Sequence, residues 1–142
     1  MIVVDTSVWS QALRRRRSGE DQSAPEPPGA TLLRRLIQGG EPVAVPGPVV
    51  QELLSGLRDE AQAQRLDELL EPFPTLLATR PTHVLAASLS NACRRGGVAC
   101  ASVDALIAAL TLERGGLLLT ADRDFVHIAG CCELRVELLP GA

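Results

Sequence analysis

Apolar residues along this chain fall into two kinds of run. Ile2-Val-Val4 and Leu117-Leu-Leu119 are short and unbroken, the pattern of strands buried on both faces. Val43-Ala-Val45, held between Pro42 and Pro46, is a third such run. Between them, apolar positions recur at helical spacing. Val50, Leu53, Leu54 and Leu57 stripe a helix that Pro48 opens and Gly56 closes. Leu85, Ser88, Leu89 and Ala92 stripe a second, from Pro81 to Gly96-Gly97. Val103, Leu106, Ile107 and Leu110 stripe a third, with Ser102 as its cap and Gly115-Gly116 as its end. Further helices are predicted from Thr6 or Ser7 to about Arg16, from Ala30 to Gln38 and from Asp59 to Leu70. A short extended piece lies near Thr75–Ala78, and Leu134–Leu139 alternates as an edge strand does. The tract 18–28, rich in Pro, Ser and acids, reads as a mobile loop.

Strands alternating with helices across 142 residues imply one α/β domain. Its expected form is three layers, α/β/α, around a central, mainly parallel sheet. Apolar residues make up 46 % of the chain, enough for a core, and the only aromatics are Trp9, Phe73 and Phe125. Trp9, beside the first strand, is expected in the core or at a subunit interface rather than stacked on a base. No apolar run approaches the roughly 20 residues of a membrane span. The N-terminus lacks the marks of a signal peptide, so a cytoplasmic protein with no membrane partner is expected. Cys93, Cys100, Cys131 and Cys132 have no zinc-knuckle spacing and are expected as free thiols.

The net charge of −3 is evenly mixed, which argues against a protein that coats nucleic acid nonspecifically. All 14 basic residues are Arg. The absence of Lys excludes a Walker P-loop, whose Lys reaches the phosphates. It also excludes response-regulator receivers and phosphatases of the haloacid-dehalogenase type, which need a Lys. A Ser-His-Asp hydrolase is disfavoured as well. There is no G-x-S-x-G elbow, and His83 and His127 read as surface helix residues.

What remains is the acids. Ligands of open α/β sheets sit beyond the carboxyl ends of the strands. Asp5 and Asp122 follow buried strands, so spacing places both on that edge. Glu52 and Asp104 lie in the first turns of helices, which can approach the same edge. Taken singly, Asp5 reads equally well as a helix cap, Glu52 as a solvated helix acid, and Asp122 and Asp124 as turn residues. Asp104, within Val103-Asp-Ala-Leu-Ile-Ala108, would be costly without a partner. Carboxylates gathered a few ångströms apart raise one another's pKa. A hard cation, Mg²⁺ or Mn²⁺, relieves that conflict.

Four segments carry a resemblance. Ile2-Val-Val-Asp-Thr-Ser-Val-Trp9, Pro46-Gly-Pro-Val-Val-Gln-Glu-Leu-Leu-Ser-Gly56, Ser102-Val-Asp-Ala-Leu-Ile-Ala-Ala109 and Leu119-Thr-Ala-Asp-Arg-Asp-Phe125 resemble, in order, the PIN-domain fold and the VapC toxins of bacterial toxin–antitoxin pairs. The resemblance implies a metal-dependent endoribonuclease acting on tRNA, rRNA or mRNA through metal-activated water, with a 5′-phosphate product. It also implies a homodimer and a cognate antitoxin, assembled as a heterotetramer or larger. By position, Asp5, Glu52, Asp104 and Asp122 match the acidic quartet and Asp124 an accessory acid. Thr6, Ser7 and Thr120 match hydroxyls that hold those acids. Arg123 and the run Arg14, Arg15, Arg16 and Arg17 are candidates for RNA contact. The run reads equally well as a solvated helix end or a surface for the antitoxin. The alternative is a PIN-like module that binds RNA or protein without cutting, which would ordinarily have lost one of the acids.

Overall fold

The computed structural model describes residues 1–13 and 23–141. Its elements run β1 (Ile2–Val4), α1 (Thr6–Leu13), α2 (Pro28–Gln38), β2 (Val43–Pro46), α3 (Gly47–Ser55), α4 (Glu60–Leu70), β3 (Thr75–Leu76), α5 (Arg80–Arg95), α6 (Ser102–Glu113), β4 (Leu117–Thr120), α7 (Asp124–Ala129) and β5 (Arg135–Leu138). Every strand pairing is parallel, in the order β3-β2-β1-β4-β5. The central strands are apolar throughout because both of their faces are covered. Val3, Val4, Ala44, Val45, Leu118 and Leu119 are all buried. Pro46 ends β2, where its missing N–H interrupts no further ladder bond.

The chain steps one way from β1 to β3 and then crosses back to β4 and β5. Right-handed crossovers therefore send α1–α4 to one face and α5–α7 to the other. The packing agrees: α1 meets α2 and α3, α3 meets α4, and α6 lies against α5 and α7. The reversal between β1 and β4 is a topological switch point, and the carboxyl ends of those two strands face one crevice.

Several sequence expectations are displaced in detail. α5 buries Thr82, Ala86, Leu89 and Cys93 and exposes Ser88, so its stripe is turned from the predicted one. In α6, Ala105 and Ile107–Thr111 are all buried, whereas Val103 is exposed. A helix wedged between α5 and the sheet has no solvent face over its middle, which blurs a stripe. Ser102 does not cap α6; Ala101 holds that position without a side-chain bond. Only Val49 of α3 is fully buried, and the predicted stripe there is half-exposed. Two prolines open α2 at Pro28, inside the tract read as a mobile loop. Part of that tract, the end of the first helix and Arg14–Arg17 lie outside the described residues. Trp9 is a core residue, its ring edge-on to Phe73 at 5.1 Å. No helix among the described residues is long and apolar enough to cross a membrane.

Candidate metal centre

Asp5 leaves β1 at the switch point and is only 5 % exposed. Three donors converge on its Oδ2: Ser7 Oγ at 2.8 Å, Thr120 Oγ1 at 2.9 Å and the Ser7 N–H at 3.4 Å. The last of these makes Asp5 the cap of α1, one of the two readings the sequence allowed. Oδ1 accepts no hydrogen bond from the described residues. Ser7 Oγ in turn accepts from the Ala121 N–H at 2.9 Å, and Thr120 Oγ1 from the Asp122 N–H at 3.0 Å. Two hydroxyls thus fasten the end of β1 to the turn after β4.

That turn presents two acids. Asp122 Oδ1 accepts from the Asp124 N–H at 2.9 Å, an Asx turn that fixes both residues ahead of α7. Asp104 enters from the first turn of α6, set in place by the buried middle of that helix. Carboxylate oxygens of Asp104, Asp122 and Asp124 lie within 4.8 Å of one another. The Asp104 carboxyl is pushed up from an ordinary 3.8 to about 6. Burial is the largest cause, followed by the charges of Asp122, Asp5, Asp124 and Glu52. All five acids therefore act on one locus. Glu52 reaches it from the exposed side of α3, held by Thr6 Oγ1, which donates to Oε2 at 2.8 Å.

Asp124, read from sequence as an accessory acid, belongs to the compact trio, which does not include Asp5 or Glu52. The spacing Asp122-x-Asp124 was its available signal, since an Asx turn places both side chains at one end of α7. Arg123 is exposed between them, and the described residues offer these acids no ion pair. Crowded carboxylates without a counter-charge suit a hard divalent cation. His83 and His127 are exposed on α5 and α7, as surface helix residues should be.

The PIN-domain family profile matches residues 2–130. The chain belongs to the PIN-domain family. Curated relatives include VapC ribonuclease Mb1587 of Mycobacterium bovis and ribonuclease VapC11 of Mycobacterium tuberculosis. Each is 31 % identical over 138 residues, spanning 95 % of this chain and 96 % of the relative. Among solved structures, VapBC2 of Rickettsia felis bound to a promoter DNA fragment matches with a TM-score of 0.73 at 19 % identity, over 97 % of this chain and 98 % of that one. FitAcB of Neisseria gonorrhoeae matches with a TM-score of 0.69 at 23 % identity, over 96 % of both chains. These solved structures share the PIN fold, and the acids described here lie at its sheet edge.

Proposed function

We propose that this PIN domain is a Mg²⁺- or Mn²⁺-dependent endoribonuclease, the toxin of a toxin–antitoxin pair acting in the cytoplasm. The observation that carries the reading is the trio Asp104, Asp122 and Asp124 beside the tethered Asp5, a set of oxygens with no cationic partner among the described residues. The relatives named VapC ribonuclease, similar over nearly their whole length, support the same activity.

Asp5, Asp104 and Asp122 would hold the cation, with Asp124 alongside and Glu52 at the open side. A bound divalent cation would supply a low-pKa water and positive charge facing the scissile phosphodiester. The chain's own residues do the positioning. Ser7 and Thr120 occupy Oδ2 of Asp5, which would leave Oδ1 free for the cation. Thr6 holds Glu52 Oε2, leaving Oε1 to orient a water or take its proton. Arg123, exposed beside the acids, meets a substrate phosphate. The Arg14–Arg17 run, outside the described residues, is a second candidate for RNA contact. The partners are an RNA (tRNA, rRNA or mRNA), a second copy of the chain and a cognate antitoxin.

The test is cleavage of total RNA by the purified protein, with mapping of 5′ ends. Cutting should need Mg²⁺ or Mn²⁺, stop with EDTA and collapse in Asp5→Ala and Asp104→Ala. Robust cutting in EDTA, or equal cutting by both variants, would overturn the reading.

A further inference from the structure

All four cysteines, from three separate segments, gather on the α5–α7 face. Cys93, near the end of α5, is 1 % exposed. Cys100 precedes α6, Cys131 and Cys132 follow α7, and these three are half-buried free thiols. The Cys131 and Cys100 thiols both bear on the Cys93 thiol and help to raise it. A second observation locates Cys131 independently. Its Sγ lies 3.5 Å from the point where a Cβ on Gly96 would sit, and the Cys93 carbonyl oxygen lies 3.5 Å from the same point. Cys131 therefore covers the last turn of α5. Its thiol donates to the His127 carbonyl at 3.6 Å, which anchors it to α7.

Clustered thiols serve either a soft metal or a disulfide. A metal needs three or four sulfurs around one point. Among the described residues the compact trio of ligand atoms is the carboxylate one, and the thiols form none. A disulfide needs only two thiols on adjoining segments. Cys131, whose sulfur lies over the last turn of α5 near the Cys93 carbonyl, is the mate that the geometry offers Cys93.

We propose that Cys93 and Cys131 are a dithiol site for two-electron oxidation by a peroxide, closing a disulfide between α5 and the turn after α7. The half-buried Cys131 reacts first. Its thiolate attacks one peroxide oxygen, the O–O bond breaks, and a sulfenic acid forms with release of water. Cys93 sulfur then attacks the sulfenic sulfur, the S–O bond breaks, and the hydroxyl leaves as water with the Cys93 proton. Two thiols and one hydrogen peroxide give one disulfide and two waters. Burial, with the neighbouring thiols, pushes the Cys93 thiol up to about 12, so it is a poor first nucleophile and acts as the resolving partner. The site is separate from the nuclease reading and does not depend on it.

Reduced full-length protein is treated with hydrogen peroxide and digested without reductant for mass spectrometry. The expected product is a monomer that has lost two hydrogens, keeps two of its four thiols and yields a peptide linking Cys93 to Cys131. Cys100→Ser and Cys132→Ser should retain that link. Cys93→Ser, or Cys93→Ala if the first folds poorly, should lose it and accumulate Cys131 sulfinic acid. The bridged monomer should melt higher than the reduced one. A Cys131–Cys132 or Cys93–Cys100 link, a disulfide between chains, or stoichiometric zinc that shields all four thiols would overturn the proposal.

Discussion

Replacing Asp104 by Asn removes one charge from the crowded site and keeps the side chain's shape. In the wild type that carboxyl is shifted from 3.8 to about 6, so the folded protein holds its proton more tightly than the unfolded chain does. Below pH 4 the group is neutral in both states and the substitution should change stability little. Between pH 4 and 6 the folded state must surrender a proton that it favours, and wild-type stability falls as pH rises. Above pH 6 the whole penalty is present. One pH unit corresponds to about 1.4 kcal/mol, so the full shift would be worth about 3 kcal/mol. The carboxylate is half-exposed, and solvent screening lowers this to about 1 kcal/mol. For a domain of this size that is a rise in Tm of roughly 3–5 °C. The assay is thermal unfolding of both proteins in EDTA, at pH 4 and at pH 7.5. Asp104→Asn should melt higher at pH 7.5 only, and Mg²⁺ should raise the wild type but not the variant. A variant that melts lower at pH 7.5, or one whose advantage is equal at pH 4, would refute the electrostatic account.

Other perturbations probe the surrounding scaffold. Thr120→Val strips the fully buried hydroxyl that joins Asp5 to the Asp122 N–H. It should cost about 1–3 kcal/mol in denaturant unfolding and weaken Mg²⁺ binding by roughly 10–100-fold in calorimetry. Asp124→Ala should weaken Mn²⁺ binding more than Glu52→Ala does, because only Asp124 is in the compact trio; the reverse order would favour the ranking read from sequence. Gly116→Ala places a Cβ 3.1 Å from the Met1 carbonyl oxygen and 3.3 Å from Val3 Cγ2. It should destabilise the domain by about 1–3 kcal/mol through strain at the β1–β4 ladder, read from urea midpoints. Gln at all four of Arg14–Arg17 should lower RNA affinity and flatten its salt dependence if these cations meet phosphate; an unchanged slope would assign them to solvent or to a protein partner.

The local chemistry of this chain was legible in one dimension. Unbroken runs such as Ile2-Val-Val4 and Leu117-Leu-Leu119 declare strands buried on both faces, and carboxylates directly behind them declare the functional edge. Helix ends at proline and glycine were equally plain, because φ restriction and φ freedom are properties of single residues. Burial within helices was not. α6 is enclosed on nearly all sides, and α5 is turned so that Thr82 and Cys93 face inward while Ser88 does not. Amphipathic spacing assumes one wet face, and only the packing of neighbours decides how many a helix has. The site shows the same division. Sequence placed Asp5 and Asp122 on one edge, and family resemblance added Glu52 and Asp104. That Asp124 stands among the nearest oxygens depends on an Asx turn, and that Asp5 Oδ2 is fastened depends on hydroxyls from Ser7 and Thr120, more than a hundred residues apart. The gathering of four unremarkable cysteines around the end of α5 is likewise a matter of the crossover that lays α7 beside α6. Distances across the fold are set by how the layers pack, and no spacing along the chain encodes them.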